Sequence, residues 1–246
     1  MEKVTYYLLS AIAALIALTV HEYCHGYAAY KMGDDTAKNF GRLTLNPLKH
    51  IDPYGAICMV LFHIGWAKPV PINARNFKDP KKGFAITAAA GPAINLILGF
   101  LTAPLFLLAW NGYVKLVIST GGEGGFGLAL LNNLVTFLSA FHIINVGLGL
   151  FNLLPIPPFD GSRLLYVFLP PKYYFGIMKY EKQIYFGVLG WLLLGGYVCD
   201  FIRMLPLVQQ MPALYWIAGI FSLSDMISFV INGLSNLMIS FWQLII

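Results

Sequence analysis

His21, Glu22 and His25 fall within five residues, as HEYCH, inside the apolar stretch TVHEYCHGYA at positions 19–28. On a helix, side chains at i and i+4 share a face about one turn apart, so the imidazoles of 21 and 25 can hold one metal ion. Glu22 stands beside them, placed to take a proton from a metal-bound water and not to bind the metal itself. That is the arrangement of zinc-dependent hydrolases. Ionisable groups are disfavoured inside membrane helices, so three of them in an apolar segment point to function. A polar helix–helix contact or a proton-relay pair is the alternative.

A catalytic zinc needs a third protein ligand and an open fourth position. The extended pattern H-E-x-x-H-x-x-G-x-x-H would put that ligand at position 31, but Lys31 stands there and Ala28 replaces the glycine, which excludes that class. Glu2, Glu123 and Glu181 fall near expected loops, which leaves Asp160, Asp200 and Asp225 as acids in apolar surroundings. Asp160 ends the run FNLLPIPPFDGSR, residues 151–163, where three prolines block a continuous helix. Unwound backbone at membrane depth is tolerated only inside protein or around a cavity, so Asp160 beside Gly161 can point inward at a metal. The same residues also suit a Pro-kinked helix end capped by Asp160.

The elements that must position these groups are membrane helices. Of 246 residues, 58% are hydrophobic and 11% charged, against about 25% charged in typical soluble domains. The expected fold is an all-α polytopic membrane protein with four to six transmembrane helices. A small membrane-associated β-rich segment is expected near residues 41–75. The first span covers Val4–Tyr30 and is expected to be retained, because no cleavage pattern precedes the His/Glu cluster. Further spans are expected at Gly83–Trp110, Phe126–Phe151 and Gln183–Leu205, with one or two pieces in the stretch from Pro206 to Ile246 broken by Pro212 and Asp225. AICMVLFHIGW, at 56–66, is too short to span and reads as re-entrant. No repeat or linker divides the chain, so one domain over 1–246 is expected, with a core at 5–168 and extra C-terminal helices at 183–246.

Lys31, Lys38, Arg42, Lys49, Lys68, Arg75, Lys78, Lys81 and Lys82 crowd the first long connection, and Arg163, Lys172, Lys179 and Lys182 a later one. The positive-inside rule puts both on the cytoplasmic side of a cell membrane. The net charge of +5 is thus an orientation signal, and no nucleic-acid partner is expected. On this topology the first span runs inward with His21 and His25 in its inner third. The third span also ends inward, at Asp160, so the two halves of the site share a depth. The three cysteines are odd in number and far apart, and imply no disulfide framework.

HEYCH together with N-x-x-P-x-P-x-x-D-G from Asn152 to Gly161 resembles the site-2 protease family of intramembrane zinc metalloproteases. GRLTLNPLKHIDPYG, GWAKPVPIN and AAAGPAIN extend the likeness to residues 5–165. The resemblance implies one Zn2+ per chain held by His21, His25 and Asp160, with Glu22 as general base. It further implies transmembrane proteins or peptides as substrates, cut near the cytoplasmic side of the lipid bilayer. The chain is expected to be a compact form, without an inserted PDZ-like domain or an appended nucleotide-sensing domain. Phe159 stands where leucine is frequent in the family.

Asn152 could donate to the oxyanion of peptide hydrolysis or cap the broken helix. Asn95, in GPAIN, is a second candidate for oxyanion or substrate positioning, although the small residues around it favour a helix–helix contact. His142 and Asn145 read the same way. Cys24 reads as a small buried hydrophobe, and His50 and His63 carry no partner motif. Two rival classes remain: a membrane metal-ion transporter using the same ligands for transit, and an inactive protein that retains membrane clients.

Overall fold

A computed structural model describes residues 2–55, 67–211 and 223–246. Helix α1 spans Glu2–Lys31 and a short α2 spans Thr36–Asn39. Helix α3 spans Pro80–Thr120, α4 Gly125–Asn152, α5 Asp160–Phe168, α6 Pro171–Met178, α7 Glu181–Met204, α8 Pro206–Gln209 and α9 Leu223–Gln243. Three of these, α1, α3 and α4, are long and apolar enough to cross a membrane. A fourth crossing exists if the two parts of α7, bent by 44° between Leu192 and Leu194, count as one broken span. Among the described residues the expected four to six spans are therefore met only at the lower limit. The re-entrant piece at 56–66 and the break at Pro212 lie outside the described residues.

Small residues build the interior. Ala13, Ala14 and Ala17 form the buried stripe of α1. Ala88, Gly91, Pro92, Asn95, Gly99, Thr102 and Ala103 repeat at helical spacing as the buried stripe of α3. Bulk is on the outside: Ile97, Leu101, Leu105 and Leu108 are all about half exposed along one face of α3. Lipid is as apolar as these side chains, so helix association relies on close backbone packing and polar contacts, not on burying leucine. At Gly149 a β-carbon would stand 2.6 Å from Leu96 Cγ, and at Gly99 one would stand 2.8 Å from Val146 Cγ2. Both glycines thus permit the α3–α4 approach.

Helix α3 runs past the expected end at Trp110. Asn111 and Gly112 do not stop it, because one interior glycine costs only about 1 kcal/mol against a hydrogen-bonded helix. It stops at Gly121, where φ is +62°, a conformation that favours glycine. The expected loop Asn111–Gly125 shrinks to residues 121–124. At the other end Asp79 accepts from Lys82 N at 3.1 Å and Pro80 takes the first helical position, where its missing N–H costs nothing.

The β-rich segment expected near 41–75 is not a sheet among the described residues. It holds two 3-10 turns, Pro47–Lys49 and Ala74–Asn76, and an isolated antiparallel bridge between Ile51 and Ala67. Residues 68–73 form neither helix nor strand, and Pro47, Pro53, Pro69 and Pro71 remove donors that a ladder requires.

Candidate metal centre

α1 and α3 lie antiparallel, so the C-terminal end of α1 meets the start of α3, and α4 returns alongside α1. Residues 153–159 then leave helical geometry, and α5 restarts at Asp160. A β-carbon at Gly161 would run into the Leu153 carbonyl and stand 2.5 Å from Leu154 O. The glycine after Asp160 is needed for this close approach, which folds the start of α5 back onto the end of α4.

That fold-back brings the three expected ligands together. Nε2 of His21 lies 3.2 Å, and Nε2 of His25 3.0 Å, from Oδ2 of Asp160, and the two Nε2 atoms are 2.9 Å apart. The tautomer of each neutral ring can be read from the outer contacts. Asn145 Nδ2 donates to the Phe141 carbonyl at 2.8 Å, which turns Asn145 Oδ1 toward Asn95 Nδ2 at 2.7 Å. Asn95 Oδ1 is thereby turned toward His21 Nδ1, so that nitrogen carries the proton and donates. His25 Nδ1 donates to the Thr87 carbonyl at 2.7 Å, an acceptor that admits no other choice. In its neutral form each ring therefore carries its proton on Nδ1 and turns the Nε2 lone pair to its neighbour and to the carboxylate.

Two neutral rings and a carboxylate this close aim three lone pairs at one point, which a cation held between them would satisfy. Tetrahedral zinc with ligands at about 2.0–2.1 Å sets its donor atoms about 3.3 Å apart, close to the spacing observed here. The donor set of two imidazoles and one carboxylate, each ring oriented by an outer hydrogen bond, suits zinc. Among the described residues this is the one group of three or more His, Cys, Asp or Glu side chains that converges in this way.

The cluster opens on a cavity of about 310 Å³ lined also by Leu148, Phe151, Pro158, Arg163, Tyr185 and Leu189. Glu22 lines it too, with Oε2 accepting from the Val70 N–H at 2.9 Å. Gly91 clears room for the rings: a β-carbon there would collide with His25 Nε2 and stand 2.7 Å from His21 Cε1.

The remaining candidates separate. Asn152 lines the cavity, and its amide nitrogen donates to Leu148 O at 3.0 Å, one turn back in its own helix and not as a cap on α5. Asn95 is 0% exposed and does not line the cavity, so it has no route to substrate. Its carbonyl and amide groups are used within the helix bundle, which corrects its candidacy for the oxyanion. Asn145 and His142 also join helices, His142 through Gly99 O at 2.8 Å and Ser235 Oγ at 2.7 Å. Cys24 is half-buried and outside the ligand cluster. His50 is bonded to Thr44 O at 2.8 Å, and His63 lies outside the described residues. Asp200 and Asp225 both pair with Arg203.

Sequence reasoning gives Thr87 and Gly91 no part in the site, and it reads Val70–Asn73 as an edge for holding substrate with no link from Val70 to Glu22. A backbone carbonyl and a backbone N–H carry no residue signature. Gly91, in contrast, stood in the quoted AAAGPAIN, one glycine in a small-residue helix start.

Residues 111–173 match a family model described as peptidase family M50. YwhC of Bacillus subtilis (strain 168), provisionally named a zinc metalloprotease, is 41% identical over 207 residues, which cover 80% of this chain and 89% of that protein. Rip2 of Mycolicibacterium smegmatis, also provisionally so named, is 29% identical over 163 residues. Those residues are 64% of this chain and 56% of Rip2, so the chain spans about half of that relative. A Methanocaldococcus jannaschii protein named a zinc metalloprotease is 26% identical over 174 residues, 70% of this chain and 37% of that protein. No solved structure matches the chain significantly.

Proposed function

The chain belongs to peptidase family M50, and from that premise we propose that it is an intramembrane zinc endopeptidase. In this reading it cuts transmembrane proteins or peptides in or beside their spans, near the cytoplasmic side. It is a metalloprotease and a multi-pass membrane protein. The observation that carries the reading is the convergence of three metal-ligating atoms, His21 Nε2, His25 Nε2 and Asp160 Oδ2, at the edge of a cavity that also holds Glu22.

His21, His25 and Asp160 would hold the ion, one per chain. Zinc supplies an acidified water and a positive charge that polarises the scissile carbonyl. Glu22 takes the proton from the attacking water and returns it to the leaving amine nitrogen. With Oε2 bonded to the Val70 N–H, Glu22 has Oε1 left for that proton. Asn152, on the cavity wall, has a second amide N–H beyond its bond to Leu148 O to donate to the developing oxyanion. The apolar wall from Leu148, Phe151, Val188 and Leu189 suits an apolar substrate segment.

A transit site for metal ions would be expected to continue into further ligand groups along a path, and among the described residues no second such group occurs. Glu22→Gln tests the proposal. The variant keeps the zinc ligands, so it should bind zinc as the wild type does while cleavage of a single-span substrate in proteoliposomes is lost. Cleavage by Glu22→Gln at the wild-type rate would remove Glu22 from the mechanism.

A further inference from the structure

The segment Ala67–Asn73, A-K-P-V-P-I-N, meets Glu22 through Val70 as a strap that is neither helix nor strand. Pro69 and Pro71 have no N–H, so Val70 is the donor between them, and it donates to Glu22 Oε2 at 2.9 Å. Both ends of the strap are gripped by side chains that take no part in the metal centre. At one end the Lys68 carbonyl accepts from Arg42 Nη2 at 2.7 Å, while the Lys68 N–H donates to His50 O at 2.8 Å. At the other end the Asn73 N–H donates to Asp34 Oδ2 at 2.7 Å. Asp34 Oδ1 accepts from Asn76 Nδ2 at 2.8 Å, from Thr36 N at 3.1 Å and from the Thr36 hydroxyl.

Asp34 and Arg42 are both buried, where a charged group is costly unless hydrogen-bonded. Asp34 accepts four bonds, whereas Arg42 bonds the strap through Nη2 and leaves Nε without a partner among the described residues. Each directs bonds to the backbone of the same seven-residue strap, on opposite sides of Val70. A glutamate on the surface of α1 has several freely rotating bonds, and a proton acceptor must be held near its donor to be efficient. One fixed N–H on one carboxylate oxygen supplies that restraint, provided the strap itself cannot slide.

We propose that Asp34 and Arg42 are positioning residues for Glu22, acting through the Val70 N–H of the strap they clamp. This rests on the reading of Glu22 as the proton acceptor. The clamps set where the carboxylate stands and do not touch the ion or the substrate.

The test uses the full chain in proteoliposomes, with zinc content, kcat and KM measured on one single-span substrate. Val70→Pro deletes the donor, and Val70→Ala, which keeps it, is the reference for the lost side chain. Val70→Pro should retain zinc and KM but fall in kcat by about 10²-fold relative to Val70→Ala, as a displaced reacting group does. Asp34→Ala and Arg42→Ala should lower kcat in the same way, and Arg42→Lys, which can still donate to Lys68 O, should recover part of it. Combined with Val70→Pro, the clamp variants should add nothing further, because the bond they support is already gone.

Full additivity of the clamp variants with Val70→Pro would overturn the proposal, as would equal kcat for the two Val70 variants. A rise in KM at constant kcat would also overturn it, since the strap would then serve substrate binding. Should Asp34→Ala fail to fold, the Val70 pair and the Arg42 pair still decide. Glu22→Gln separates the two readings: if it stays active the general-base assignment fails, whereas an inactive Glu22→Gln with no Val70 effect refutes the strap alone.

Discussion

Asn95 Oδ1 lies 2.5 Å from His21 Nδ1, across 74 positions of sequence, and this contact decides which nitrogen of His21 is free to bind metal. Asn95 is itself turned by Asn145 on a third helix. The tautomer of a residue on α1 is thus set by the packing of α3 against α4. Outer hydrogen bonds of this kind typically carry about 10–100-fold in metal affinity. Asn95→Leu should weaken zinc binding by that order in a competitive chelator titration, and Asn145→Ala should do so by less. Unchanged zinc affinity in Asn95→Leu would show that His21 holds its orientation by packing alone.

Gly91 is predicted to be intolerant of a single methyl group. Its β-carbon would collide with His25 Nε2 and lie 2.6 Å from His25 Cε1. Gly91→Ala should therefore displace the rings and lose zinc, although alanine is the better helix former by about 1 kcal/mol. Gly112→Ala, on the same helix with Leu131 Cδ2 at 3.6 Å as its nearest neighbour, is the control and should keep zinc. Metal analysis of the two purified variants reads the difference directly.

Removing the metal should destabilise the bundle. Without a cation nothing but a shared proton holds His21 Nε2, His25 Nε2 and Asp160 Oδ2 together at 2.9–3.2 Å. Zinc at about 100 times its Kd would stabilise the folded chain by about 2.7 kcal/mol relative to the apo form. Chelation in detergent should lower the unfolding temperature, and added zinc should restore it. No such shift should occur in His25→Ala.

Acid should loosen the strap. Burial pushes the Asp34 carboxyl up, but the bonds it accepts from the Thr36 hydroxyl, Asn73 N–H, Asn76 amide and Thr36 N–H outweigh this and hold it below its usual value. A group depressed in the folded state contributes stability that is fully present above its unfolded pKa. That stability is lost as pH falls through the folded pKa. Proteolytic nicking near residues 67–79 should therefore rise in wild type only below the ordinary carboxylate range. Asp34→Asn should be susceptible already at neutral pH, with a weaker dependence on acid.

HEYCH and PIPPFDG could be read from sequence because each is local. The i, i+4 spacing of His21 and His25 follows from helix geometry, and the three prolines before Asp160 end a helix whatever surrounds them. Apolar composition likewise fixed the membrane class, since hydropathy needs no knowledge of neighbours. The tertiary structure decided the rest. Asn95 looked like a candidate for the cavity, yet α3 turns it inward onto His21, a matter of helix rotation that a stripe of small residues does not specify to one position. The strands expected at 41–75 reduce to an isolated bridge among the described residues, because strand pattern gives extended backbone but pairing needs donors that the prolines lack. The Val70 N–H and the Thr87 carbonyl were invisible for a simpler reason. Every residue but proline carries the same backbone groups, so only the fold can say which of them meet Glu22 and His25.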